Sequence, residues 1–244
     1  MINPPLPEPS HVSLADDDLL RGFPLSKLLV RVGGRLWHIR CAKEQHRLLA
    51  AFDVLEHAPY GFLLWESSVA LARWIAAKPE LVRGKGVLEL GAGVGLPGLV
   101  ARSLGAKVTQ TDHLPQALAL SSLNGMHNGV DRVHRFAADW RTWDHSELYD
   151  MILGADILYE PEMQPALASI FRRNLVPGGS VLLADPRRPQ SVDFLGRLQH
   201  AGACAELTTQ SVAPTCAGGG GTDVEVLLVR LKWEGKSLGA ELAT

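Results

Sequence analysis

Glu89-Leu90-Gly91-Ala92-Gly93-Val94-Gly95 is the stretch that decides how this chain folds. The run Gly86–Leu90 leading into it reads as a buried strand. The segment leaving it carries Leu96, Leu99, Val100 and Leu104 at helical spacing and stops at Gly105. Glycines between a strand and a helix let the backbone turn sharply and approach a ligand without a Cβ clash. Gly93-Val94-Gly95-Leu96-Pro97-Gly98 also fits the dinucleotide pattern GxGxxG, a weak signal that equally describes a tight strand–helix connection.

Downstream the same rhythm repeats. Strands are expected at Lys107–Thr111, Arg132–Ala137, Tyr149–Ala155 and Ser180–Ala184. Helices are expected from Pro115 to Met126, over Met163, Leu167, Ile170, Phe171 and Leu175, and near Val192–Ala201. Pro177-Gly178-Gly179 reads as the turn into the fifth strand. Repeated β–α units predict a parallel sheet with helices on both faces, which binds ligands beyond the carboxyl ends of its strands. The last pair departs from this: Ala205–Val212 and Asp223–Leu231 are joined by the glycine turn Gly218–Gly221 with no helix, so an antiparallel hairpin closes the chain. Upstream, Val30–Val32 and Leu36–Cys41 flank Gly33-Gly34, another hairpin signal. Ser67 or Ser68 is the expected cap of a helix carrying Val69, Leu71, Ala72 and Ile75, which Lys78-Pro79 closes. Five prolines in residues 1–24 predict an extended arm.

Bulk properties exclude several classes. The chain has 244 residues, 46% hydrophobic and 20% charged, enough for one sizeable α/β core. A net charge of −2 offers no global basic field, so no nucleic-acid partner is expected. No run approaches the roughly eighteen apolar residues of a membrane span, and the start lacks a signal-peptide pattern. Cys41, Cys204 and Cys216 are widely spaced, with no metal-ligand or disulfide pattern, which fits a reducing cytoplasm. No metal site is expected, and a monomer is.

Two residues turn the glycine loop toward a cationic nucleoside, S-adenosylmethionine, and away from a dinucleotide. Glu89 places a carboxylate where a pyrophosphate would be repelled, and Pro97 deprives the helix start of an amide donor. Asp112, roughly twenty residues on at the end of the second strand, is placed to accept ribose hydroxyls or to cap the next helix. His113 follows it. Asp139 and Trp140, ending the third strand, are placed to receive an adenine amino group and pack on the base, or to cap a turn and fill core. Asp156 and Tyr159 follow the fourth strand at the same sheet edge. A carboxylate there can orient an amine and share its proton, and a phenol can hold a nitrogen in line. Arg187 and Arg188, after the fifth strand, suit an acidic substrate surface or a solvated loop.

The runs VLELGAGVGLPGLVARSLGAKVTQTD, AADW and ADILYEPE, with Tyr60-Gly61-Phe62-Leu63-Leu64-Trp65-Glu66 upstream, resemble the seven-strand methyltransferases called methyltransferase family 16. The resemblance covers roughly residues 56–231. It implies a Rossmann-like seven-stranded sheet, mostly parallel with a C-terminal antiparallel hairpin, preceded by an N-terminal β-hairpin extension. It divides the chain into an arm and hairpin, residues 1–55, and an S-adenosylmethionine-dependent methyltransferase domain, residues 56–244. It implies that Trp65 lines the cofactor pocket and that Asp156 and Tyr159 form the substrate-side D-x-x-Y/F motif. With Glu89, Gly91, Gly93, Asp112, Asp139 and Trp140, Ala155 at the end of the fourth strand completes the expected cofactor contacts. The family contains protein lysine methyltransferases, and the LELGAGVGLPG run with Glu-Pro-Glu looks like its arginine-methylating branch. The expected activity is methylation of a protein side-chain nitrogen, lysine before arginine. Alternatives are a small-molecule N- or O-methyltransferase, a cofactor-binding protein without catalysis, and an NAD-dependent oxidoreductase.

Overall fold

Val87 and Leu88, neighbours on one strand, point into opposite cores, and so do Met151 and Ile152. That alternation is what a sheet covered on both faces requires: its strands are continuously apolar, and successive side chains serve different layers. The computed structural model describes residues 19–42, 60–215 and 221–233. The boundary expected between residues 55 and 56, most of the proline-rich arm, Cys216 and Gly218–Gly220 lie outside the described residues.

The chain begins with a hairpin of β1 (Leu25–Val32) and β2 (Arg35–Ala42), followed by α1 (Glu66–Ala77). Then come β3 (Gly86–Leu90), α2 (Leu96–Ser103), β4 (Lys107–Asp112), α3 (Pro115–His127), β5 (His134–Ala137) and β6 (Tyr149–Ala155). The last elements are α4 (Gln164–Asn174), β7 (Leu175–Asp185), α5 (Pro189–His200), β8 (Ala203–Val212) and β9 (Val224–Trp233). Seven strands pair in the order β5-β4-β3-β6-β7-β9-β8. The pairings from β5 through β7 are parallel, and β9 runs antiparallel to both β7 and β8. The expected seven-stranded α/β sheet with its closing antiparallel pair, and the N-terminal hairpin, are thus observed. Helices α1 and α2 pack into one core with the hairpin, and α4 and α5 into the other. The strand order reverses at β3, which opens a crevice at its carboxyl end.

Three local expectations are corrected. Ser67 and Ser68 do not cap α1: they are buried inside its first turn, and the cap position is Trp65, without a side-chain cap bond. Pro177-Gly178-Gly179 is not a turn between helix and strand. Strand β7 starts at Leu175, directly after α4, and the three residues bulge out where the β6–β7 register shifts between Tyr149 and Met151. Gly178, at φ +80°, supplies the left-handed residue that this bulge requires. The third strand begins only at His134, because Arg132 takes a left-handed conformation at φ +55°.

The hairpin is joined to the rest by two asparagines four residues apart, Asn124 in α3 and Asn128 at its C-terminal cap, hence on one face. Asn128 accepts from the amide of His38 (2.9 Å) and donates to its carbonyl (2.8 Å). Asn124 does the same with Arg40 (2.7 and 3.0 Å) and also donates to the carbonyl of Val94 in the glycine loop (2.9 Å). Two side-chain amides therefore complete the edge of β2 as a neighbouring strand would. Asn124→Ala strands three backbone groups, and is expected to lower the urea-unfolding free energy by about 2–3 kcal/mol. A loss below about 0.5 kcal/mol, the level of an uninvolved surface position, would show that apolar packing alone holds the hairpin.

Candidate active site

A cavity of about 530 Å³, within the usual range for small-molecule sites, opens at the carboxyl ends of β3, β4, β5 and β6. All ten residues expected at a site line it: Trp65, Glu89, Gly91, Gly93, Asp112, Asp139, Trp140, Ala155, Asp156 and Tyr159. The parallel sheet brings them together because each lies at or just beyond a strand end on one edge or, for Trp65, at the start of the helix above it.

The glycine loop is packed closely against two other segments of the chain. Gly91 and Gly93 both have positive φ, +60° and +52°. A Cβ on Gly93 would sit 2.9 Å from the carbonyl oxygen of Gly61, and one on Gly91 would meet Ile157 at 2.9 Å. Their missing side chains make room for neighbouring protein segments, which shape the cavity that both glycines line.

Glu89 is buried at 3% exposure and faces the loop it precedes. Its Oε1 accepts from the amide of Gly98 (3.1 Å) and its Oε2 from the side chain of Gln110 (2.7 Å). Gly98 lies in the first turn of α2, which has Pro97 beside it and no side-chain cap of its own. The carboxyl group of Glu89 therefore occupies the amide-donating end of this helix. Gln110 passes the connection on: its carbonyl oxygen accepts from Ser121 (2.7 Å) and Arg135 (3.0 Å). Sequence reading missed Gln110, because a glutamine inside a strand carries no motif.

Asp112, 4% exposed, holds the loop from the other side. Its Oδ2 accepts from the amide of Gly93 (2.9 Å) and its Oδ1 from that of Leu114 (3.1 Å), with His113 Nδ1 at 3.3 Å. That contact raises the His113 pKa. Each carboxylate oxygen retains acceptor capacity. Asp139 caps the turn Trp140–Thr142 through the Arg141 amide (2.9 Å) and pairs with the Arg141 guanidinium (2.6 Å), which lowers its pKa. Trp140 packs partly against the core formed with α4 and α5, beside Gly91. Asp139 thus caps a turn and Trp140 fills core, while both also line the cavity.

Across the cavity, Trp65 donates its indole N–H to the carbonyl of Tyr60 (3.1 Å). The Tyr60 ring makes edge contacts with Trp65 (6.0 Å) and Tyr159 (6.4 Å). Tyr60 and Gly61 belong to the quoted motif, yet their place in the lining was not foreseen. Tyr159 is pushed up to about 12, by burial first and then by Glu160, so it stays a neutral phenol. Asp156 sits in a left-handed conformation at φ +57° and donates its amide to Ala184 (2.8 Å). Burial raises its pKa, opposed by Arg188, whose guanidinium binds both its oxygens. Arg188 is therefore not a solvated loop charge, whereas Arg187 is exposed. The cavity is acidic: Glu89, Asp112, Asp139, Asp156 and Glu160 face Arg141, Arg188 and His113. No trio of metal-binding side chains occurs among the described residues.

Burial, offset by the bonds from Gln110 and Gly98, raises the Glu89 pKa from its ordinary 4.5 to about 7. The folded protein then holds a proton that the unfolded chain releases, so stability falls as pH rises from 4.5 to about 7. The contribution amounts to up to about 3 kcal/mol. Glu89→Gln is expected to flatten the urea-unfolding free energy across that window. Identical slopes in the two proteins would show that the carboxyl is ionised throughout.

Comparison with known proteins agrees with this geometry. The chain is 35% identical over 122 residues to the histone-arginine methyltransferase METTL23 of Rattus norvegicus, covering 47% of this chain and 54% of that one. It is 38% identical over 133 residues to the protein N-lysine methyltransferase METTL21A of Danio rerio, covering 51% and 60%. The matches thus span only about half of either partner. Among solved structures, the N-methyltransferase NodS of Bradyrhizobium japonicum, in complex with S-adenosyl-L-homocysteine, superposes with a TM-score of 0.52 at 18% identity, covering 68% of this chain and 85% of that one. The ribosomal protein L11 methylase of Lactobacillus delbrueckii gives 0.53 at 18% identity, covering 69% and 79%. At such identities the two structures speak for the fold alone. The model of the lysine methyltransferase family matches residues 43–201, and the chain belongs to that family.

Proposed function

We propose that this chain transfers the methyl group of S-adenosylmethionine to a side-chain nitrogen of a protein, lysine before arginine. The observation that carries the reading is the meeting of two acidic sets across one cavity. Asp112, Asp139 and the braced glycine loop lie on one side, and Asp156 with Tyr159 on the other. An acidic, partly aromatic cavity suits a sulfonium cofactor and a cationic side chain alike. Capture of the Gly98 amide by Glu89 supports this cofactor over a dinucleotide, since that amide is already taken by a side-chain carboxyl group. Asp112 has lone pairs left for ribose hydroxyls, Asp139 and Trp140 would flank the base, and Trp65, Gly91, Gly93 and Ala155 would enclose the rest. When bound, S-adenosylmethionine supplies an electrophilic methyl group on a sulfonium.

The protein's own part is to present a neutral nitrogen without its water. Asp156, buried and anionic beside Arg188, holds the incoming ammonium and shares its proton. Tyr159, a neutral phenol, hydrogen-bonds the nitrogen and offers its ring to the cation. The chain acts as a monomer in the cytoplasm.

Incubation with labelled S-adenosylmethionine and a cell lysate tests the substrate class. Label on protein is expected; label confined to small molecules would overturn the protein-substrate reading. Calorimetric titration should show binding of S-adenosylmethionine and none of NAD, and tight NAD binding would overturn the cofactor assignment. Asp156→Ala and Tyr159→Phe are expected to lower turnover by about a hundredfold or more, with cofactor affinity nearly unchanged. Full activity in Asp156→Ala would refute its role.

A further inference from the structure

Asp156 is not the only buried acid at this corner. Asp185 ends the neighbouring strand β7 at 1% exposure, and one cation, Arg188, serves both. The guanidinium binds Asp156 through Nη1 and Nη2, and Nη1 lies 3.7 Å from Asp185. The loop that carries Arg188 is tightly wound. Asp185 accepts the Arg188 amide (2.9 Å) and the Ser191 hydroxyl (2.7 Å), tying the start of α5 to the end of β7. Between them Arg187 adopts φ +66°, a conformation costly for a non-glycine residue. Asp156 itself stands at φ +57° on the facing segment. Two unfavourable backbone conformations thus converge on one ion pair at the cavity wall, as expected where the surrounding structure dictates an aim.

We propose that Arg188 is a positioning residue that acts through Asp156, fixing its carboxylate at the cavity wall as an anion. This rests on the reading that Asp156 meets the incoming nitrogen. The charged and titratable groups facing Asp156 are Arg188 and Asp185 from the β7–α5 corner, Glu66 at the start of α1, and Tyr159 on its own segment. Arg188 alone among them is positive. Without it, burial and two like charges all favour the protonated acid, which can neither hold an ammonium nor share its proton.

The test follows the Asp156 carboxyl carbon by NMR in protein labelled at aspartate, assigned with Asp156→Asn. Arg188→Met keeps the bulk and removes the charge, and Arg188→Lys keeps the charge without the fork. In Arg188→Met the Asp156 titration is expected to move up by at least about one pH unit, with Arg188→Lys in between. The acid limb of kcat/KM against pH should move by the same amount. An unmoved titration in a variant that melts like the wild type overturns the proposal. Should Arg188→Met not fold, Arg188→Gln, which is also uncharged, carries the comparison, and the same unmoved titration is decisive. A moved titration in proteins that transfer no methyl group sustains the proposal and sinks the methyl-transfer reading. Wild-type activity whose acid limb ignores Arg188 does the reverse.

Discussion

The site depends on one buried acid, Glu89, that braces a loop lacking side chains at its three glycines. Glycines at positions 91, 93 and 95 allow the turn from β3 into α2 but have no side chains with which to hold it. Glu89 supplies what they lack by bonding the first turn of α2 and, through Gln110, the neighbouring β4. Gln110 then engages Ser121 of α3 and Arg135 of β5, so two consecutive β–α units and the next strand share one polar network. Such a network is robust when every member is satisfied and costly when one is removed, because the stranded partners stay buried. Asp112 and Asn124 close the loop from its remaining sides, at Gly93 and Val94. Through Asn124 the N-terminal hairpin is connected to the same loop, although it adds no strand to the main sheet.

The opposite wall is organised by charge. Asp156 and Asp185 end adjacent strands, and their separation is set by sheet geometry, so two buried acids come close whatever their side chains prefer. A single guanidinium from the start of α5 makes that arrangement tolerable and leaves the wall negative. The aromatic chain Trp65–Tyr60–Tyr159 spans from the segment before α1 to the segment after β6, over the same cavity. One side of the cavity is therefore held by hydrogen bonds within the loop, the other by an ion pair and ring contacts.

The repeating strand–helix pattern was legible because each strand is an apolar run and each helix shows one apolar face; β3 and β6 have the bounds read from sequence. The glycine loop and the acids at strand ends were legible for a related reason: a parallel sheet sends every β–α loop to one edge, so order along the chain suffices to place them together. What sequence could not decide was what each side chain bonds to. Whether Glu89 addresses a ligand or its own loop, and whether Asp139 caps a turn, depends on distances across the sheet. Gln110 and Arg188 act through partners 21 and 32 residues away along the chain. The bulge in β7 escaped because Pro-Gly-Gly has the same composition whether it ends a strand or interrupts one. Periodicity and turn chemistry are local and were written in the sequence; hydrogen-bond pairing and burial are properties of the packed chain, and the tertiary structure alone decided them.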